Sequence, residues 1–203
     1  MSYDRLLWEK AAAFHGHVCP GLAVGFRAAL IALTKLDVER AEDEELVAIV
    51  ENDACGVDAV QVLTGCTLGK GNLIYKDFGK QVMTLANRST EKAVRVAVHR
   101  NVIERDPEHR KLMQKVSAEQ ASEEEEKNFL KKHRQIAEQI LDLPDAEFCS
   151  VKFVTPDIPQ KARIFDSVTC SCCGEGTMEP RVRIKNNQPV CLECFGEDYT
   201  RGW

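Results

Sequence analysis

Apolar positions along the first 155 residues switch between helical and strand spacing. Residues 3–14 place Leu6, Leu7, Ala11 and Phe14 on roughly one face, which predicts a short amphipathic helix. The segment FHGHVCPG interrupts it with two glycines and a proline. Pro20 suits the first turn of a following helix, because its missing N–H would have had no helical partner there. That helix, residues 21–36, is apolar nearly all round and is expected to be buried. Its Gly21, Gly25, Ala28, Ala29 and Ala32 would let another backbone come close. LVAIVEN then predicts a strand, and DACGVDAVQVLTG a loop and a short helix over 57–63. LIYKDFGKQVMTLANR predicts a β-hairpin pivoting at 77–79, and AVRVAVH a further strand that alternates Val94, Val96 and Val98. This order of elements predicts an α+β fold, with helices packed on a largely antiparallel sheet.

The pattern changes over 106–141. Four glutamates at 123–126 precede Lys127, Lys131, Lys132 and Arg134, while Phe129, Leu130, Ile136, Ile140 and Leu141 form a helical stripe. Two helices are expected, either lying on the core or forming an arm that packs on a second subunit. FCSVKFV predicts a short strand, and Pro156 and Pro159 mark a linker. The chain therefore divides into an α+β core with a helical arm over 1–155 and a small cysteine-rich unit over 163–203.

Composition narrows the function classes. Of 203 residues, 44% are hydrophobic and 29% charged, which fits a globular chain. A net charge of −5 and 6% aromatic residues do not favour a nucleic-acid backbone binder, though a local basic face on the ribbon, from Arg181, Arg183 and Lys185, keeps nucleic acid open as a partner. The longest apolar stretch, residues 18–36, is broken by Pro20, Arg27 and Lys35, so no membrane span is expected. The start MSYDRLLWEK has no apolar signal core, and a cytoplasmic location is expected. Nine cysteines, an odd number, cannot all pair, and in that compartment they point to metal or redox chemistry.

The densest chemistry is VTCSCCGEGTMEPRVRIKNNQPVCLECF. Cys170 with Cys173 and Cys191 with Cys194 form two CxxC pairs, separated by the seventeen residues 174–190. Each turn can aim two thiolates at one point, and four thiolates make the closed tetrahedral shell that zinc accepts. RVRIKNNQPV reads as a hairpin with Asn186 and Asn187 at its tip, completing a zinc ribbon. Cys172 is an extra thiol expected to point away. So small a unit folds on its metal.

A second constellation lies near the N-terminus. His15, His17 and Cys19 alternate in HGHVC and would share a face if that segment were extended. Cys55 follows a strand and Cys66 a short helix, both beside glycine. Together these residues suit zinc or another transition metal, with His15 or Cys66 as the adjustable ligand. Asp58, and beside it Asp53, could orient a ligand or move a proton; Asp58 is the candidate catalytic group. TGCTLGKGN lacks the spacer and the Ser/Thr of a phosphate loop, although Lys70 could still face an anion.

FHGHVCPGLAVGFRAAL followed by DACGVDAVQVLTGCTLGKGNL resembles the family of the formylmethanofuran dehydrogenase E subunit. The C-terminal cysteine pairs are similar to the ribbon carried by some members. The resemblance implies an α+β core, a metal near the HGHxC and DxC segments and a homodimer, and leaves a larger redox complex open as a partner. His17 and Cys19 match its first motif, Cys55 its second, and Cys66 and Lys70 its third. It does not imply that this chain carries a pterin. Two functions follow as expectations: a metal-dependent enzyme or component of a redox complex, and a non-catalytic accessory protein that docks through its ribbon.

Overall fold

The computed structural model describes residues 3–103, 107–155, 157–161 and 164–197. The chain divides into two compact units, Met1–Lys161 and Ala162–Trp203.

In the first unit, α1 (Arg5–His15) begins at Asp4, whose carboxylate accepts from the Leu6 and Leu7 N–H groups. It ends at Gly16, in the left-handed region with φ 92°. Helix α2 (Pro20–Leu36) opens with proline in its first turn and is capped by the Cys19 sulfur, which accepts from the Leu22 N–H at 3.3 Å. Strand β1 (Leu46–Val50), α3 (Gly56–Thr64), β2 (Leu73–Tyr75), β3 (Val82–Asn87) and β4 (Lys92–Val98) follow. Then come α4 (Pro107–Ser117), α5 (Glu123–Asp142), the single turn α6 (Asp145–Phe148) and β5 (Cys149–Val154). Residue 106, the expected start of the helical region, and Pro156 of the expected linker lie outside the described residues.

The five strands form one sheet in the order β2-β1-β3-β4-β5. Only the β1–β2 pair is parallel. The expected hairpin over 73–88 is therefore not formed: β2 and β3 lie on opposite edges of β1. The reason is that β1 is apolar and buried along nearly its whole length and has two edges to satisfy. The polar residues between β2 and β3 wrap the end of β1, with the Lys76 N–H donating to Val50 O and the Lys80 N–H to Glu51 O.

Helix α2 is the axis of the helical layer and packs against α1, α3, α5, β3 and β4. Trp8 meets Phe26 edge-on, with centroids 5.2 Å apart. The apolar girth of α2 is consumed within the chain, so it does not call for a second subunit. The close approach predicted by its small residues is made to α3: a Cβ on Gly25 would stand 2.0 Å from Gly56 O. This backbone-to-backbone contact holds the start of α3 against the first turns of α2.

Helices α4 and α5 form an antiparallel pair. Ser122 and Glu125 close a capping box at the start of α5, and His109, Phe129 and His133 stack between the two helices. Ile136, Ala137, Ile140 and Leu141 bury the second half of α5 on the core. Its end is fixed by Arg27, from the middle of α2. The Arg27 guanidinium donates to the carbonyls of Ile140, Leu141 and Leu143 at 3.1, 2.6 and 2.8 Å and to Asp145 at 2.6 Å. It also lies 5.0 Å from the Phe148 ring centre. Helix ends leave carbonyls without intrahelical partners, and one buried cation satisfies three of them here.

The sheet's other face carries a small second core of Val47, Ala86 and Ala93, flanked by Ile49, Ile74 and Val154 and covered by Ile158. Pro159 O accepts from Arg88. The stretch after β5 is thus a strap bound to the sheet, not a free linker.

The second unit has β6 (Ser167–Thr169) paired with β7 (Gly176–Met178) and β8 (Arg183–Lys185) paired with β9 (Gln188–Val190). A short helix, α7 (Leu192–Phe195), follows. The expected hairpin tip is present: Asn186 and Asn187 both have positive φ, 52° and 62°, as a two-residue turn between twisted strands requires. Among the described residues no helix is long and apolar enough to cross a membrane.

Candidate metal centres

In the second unit the sulfur atoms of Cys170, Cys173, Cys191 and Cys194 lie within 4.8 Å of one another. A tetrahedral zinc with bonds of about 2.3 Å holds its sulfurs roughly 3.8 Å apart, and the Cys173–Cys191 separation is 4.0 Å. Backbone N–H groups point at these sulfurs: Cys172 and Cys191 donate to Cys170 Sγ at 3.4 and 3.3 Å, and Cys194 donates to Cys191 Sγ at 3.4 Å. Hydrogen bonds from the backbone around Cys173 and Cys191 lower the Cys170 thiol to about 6, whereas the neighbouring Cys191 sulfur raises that of Cys194. One thiolate forms readily and its neighbours resist further negative charge. A divalent cation removes that conflict, so the donor set fits zinc.

Arg181, Arg183 and Lys185 do not alternate along one strand. Arg181 sits in the short 3-10 turn Glu179–Arg181, off the strand. Arg183 pairs with Glu197 at 2.8 Å, and the Lys185 ammonium donates to Cys194 O at 3.0 Å.

The core cluster joins His15, His17 and Cys19, with one ligand atom of each within 4.8 Å of the others. Their convergence does not come from an extended segment. His15 ends α1, Gly16 turns the chain in the left-handed region, and Cys19 caps α2, so a corner between two helices brings the three together. The imidazoles are 4.4 Å apart between centroids, and His15 Nε2 is 3.8 Å from Cys19 Sγ. Cys19 is buried at the base, His15 is partly covered and His17 is exposed at the rim.

Cys55 enters from α3. It stands at the helix start, where Gly56 meets Gly25, and its sulfur faces that of Cys19 across Gly21. A Cβ on Gly21 would lie 3.7 Å from Cys55 Sγ and 3.8 Å from Cys19 Sγ, so the absence of a side chain there leaves room between the sulfurs. Burial, reinforced by the negative charge of Cys55, raises the Cys19 thiol to about 11. A bound cation would displace that proton.

Asp58 reaches the cluster through His15. Its carboxylate meets His15 Nδ1 at 2.7 Å, and its other oxygen accepts from Gln61 Nε2 at 3.4 Å. With Nδ1 occupied, His15 presents Nε2 to the site, the arrangement by which a carboxylate fixes the tautomer of a ligating histidine. The structure thus sets Asp58 to position His15, whereas the sequence left orientation and proton transfer both open. Gln61 was not foreseen; its only signal is the spacing of three from Asp58 on one helix face.

Cys66 is not brought to this cluster. The full length of α3 separates it from Cys55, and it is buried beside Thr64, whose hydroxyl accepts from the Cys66 N–H at 3.1 Å. Burial raises its thiol. Lys70 does not face an anion site either. Its ammonium donates to Glu42 O and Asp43 O at 3.2 and 2.9 Å. Asn72 joins it by donating to Asp43 O and Leu46 O. TGCTLGKGN is therefore a clamp on the loop before β1. Asp53 does not belong to either cluster.

A helical corner that presents His, His and Cys, an α3 cysteine beside them and a mixed sheet define the class. The chain belongs to the family described as "FmdE, Molybdenum formylmethanofuran dehydrogenase operon", whose model matches residues 14–150. Residues 163–199 match the "Prokaryotic dksA/traR C4-type zinc finger". A crystal structure of an FmdE-like protein of the tungsten formylmethanofuran dehydrogenase type, from Syntrophus aciditrophicus, is similar over 95% of this chain and 92% of that one, at 26% identity and a TM-score of 0.60. A protein of Archaeoglobus fulgidus named "Probable S-adenosyl-L-methionine-binding protein" is 38% identical over 197 residues. That match takes in 94% of this chain but 52% of the relative, so the chain spans about half the relative's length.

Proposed function

We propose that this chain is a two-metal protein, with a structural zinc in the ribbon and a reactive transition-metal site at the α1–α2 corner. The carrying observation is the convergence of His15, His17 and Cys19 within 4.8 Å, with Asp58 fixing His15 from outside. Cys55 supplies a further thiolate. Imidazole and thiolate favour zinc-like ions over magnesium or calcium, which prefer oxygen. Such an ion, when bound, supplies Lewis acidity to a carbonyl or to water.

The chain's own residues supply the rest. Asp58 holds the tautomer of His15. Cys19 closes the buried side. The exposed His17 leaves the rim open to a small molecule or to a partner's substrate. Both Asp58 oxygens are engaged, so its role is positioning. The protein works in the reducing cytoplasm as a homodimer, alone or beside a redox enzyme; this part of the reading rests on the family resemblance and on nine free thiols.

Element analysis of purified protein tests the reading. Two metals per chain are expected, one lost in Cys191→Ser and the other in Cys19→Ala. If Cys19→Ala folds and keeps both metals, the corner site is wrong. Light scattering at twice the chain's mass is expected for the dimer, and a clean monomer would remove it.

A further inference from the structure

One end of the sheet, where β1 and β4 finish and β3 starts, opens onto a cleft. Its inner part is apolar, lined by Val24 and Ala28 of α2, Val57 and Val60 of α3, and Val82 and Val98 at the strand ends. Gly25 and Gly56, whose contact joins the two helices, are part of its wall. This part encloses about 30 Å³, room for the end of an alkyl chain but not for a ring. The outer part encloses about 380 Å³ and shares Val24, Gln81, Val82 and Val98 with the inner one, so the two form a single cleft. Its mouth has a definite charge. Lys80 and Arg100 line it, both exposed. His99 lines it too, but its ring is committed: Nδ1 donates to Glu147 O and Nε2 meets Ser150 Oγ, each at 3.0 Å. Among the described residues lining either part there is no carboxylate, in a chain whose net charge is −5. The Lys80 backbone is held from three sides. Its N–H donates to Glu51 O at 3.0 Å, and its carbonyl accepts from the Val82 N–H at 2.8 Å and from Asn52 Nδ2 at 2.5 Å. The mouth is therefore preformed, which lowers the cost of binding.

We propose that this cleft binds a small monocarboxylate with a short alkyl tail, its carboxylate between Lys80 and Arg100 and its tail among the valines. A neutral apolar molecule would fill the slot and make no use of the cations. An inorganic anion would meet the cations and leave the slot empty. An amphipathic anion uses both, since its charge stays at the wet rim and only its alkyl part enters the apolar wall. The narrow inner part sets the limit on tail length. The inference goes beyond the metal reading and does not rest on it: none of His15, His17, Cys19 and Cys55 lines the cleft.

The experiment titrates butanoate and hexanoate into purified full-length protein with labelled valine methyl groups, followed by NMR, with hexan-1-ol as the uncharged control. Hexanoate is expected to move the Val24, Val57, Val82 and Val98 methyl signals with a Kd of about 1 mM, and hexan-1-ol to bind about tenfold more weakly. Lys80→Ser combined with Arg100→Ser changes two exposed positions, so the variant is expected to fold. It should lose the preference for the acid while binding the alcohol as before. The proposal is overturned by any of three results. The first is no shift at these valines from either acid up to about 20 mM. The second is equal affinity for acid and alcohol, and the third is a double variant that keeps the preference.

Discussion

His15 and Asp58, 43 residues apart, are joined by a 2.7 Å hydrogen bond between the imidazole Nδ1 and a carboxylate oxygen. The bond ties the end of α1 to the first turn of α3, so the metal corner and its support come from different helices. Asp58→Asn keeps the size of the side chain but removes its charge and permits the wrong tautomer of His15. Core-metal affinity is expected to fall about 10- to 100-fold, the usual cost of losing such a partner. Competitive metal titration checks this, and the ribbon zinc serves as the unchanged internal reference.

Arg27→Met keeps the stem of the side chain and removes the cation that satisfies three carbonyls at the end of α5. The Asp145 carboxylate retains about a third of its surface in water, so the buried carbonyls carry most of the cost. A loss of about 3 kcal/mol is expected. Urea denaturation followed by circular dichroism measures it; a change below about 1 kcal/mol would mean that water replaces the guanidinium.

Gly25→Ala places a methyl group against a backbone oxygen, which cannot rotate away. The two helices must separate, at a cost of about 1–3 kcal/mol or more. Because Cys55 begins α3 at this contact, core-metal binding should weaken with stability. Normal metal content in a destabilised variant would show that Cys55 is not held by the Gly25–Gly56 approach.

Burial, with the nearby Asp145 charge, raises the Cys149 thiol from 9.0 to about 11. Between these values the unfolded chain has released the proton and the folded chain still holds it. The unfolded state therefore binds fewer protons, and stability falls as pH rises from about 9 to about 11. Cys149→Ala should lose less stability than the wild type between about pH 8 and pH 10.5. The other buried thiols are common to both proteins, so the difference isolates Cys149.

Much of this could be read from spacing, because the signals are local. The ribbon cysteines declare themselves through two CxxC turns, and the Asn186–Asn187 tip through the φ values that asparagine tolerates. Spacing pairs the strand at 73–75 with the next strand in a hairpin, which is wrong, since which edge of β1 it joins depends on where α3 returns the chain. His15, His17 and Cys19 were grouped by alternation, yet a helix corner with Gly16 at its pivot produces the grouping. Cys66 drew attention by its glycine neighbour, but sequence proximity to α3 does not reveal which end of that helix faces the metal. Arg27 was visible only as an interruption of an apolar run. Its partners lie more than a hundred residues away, and nothing local points to them.

The strap after β5 decides where this protein can be divided. A chain ended at Lys161 keeps Ile158 over Val47, Ala86 and Ala93 and keeps the Pro159 carbonyl for Arg88. One ended at Thr155 has the same five strands but leaves that apolar patch wet. Two core fragments differing by six residues, 156–161, should therefore behave differently: the longer one soluble and able to hold the corner metal alone, the shorter one prone to associate through its bare sheet face.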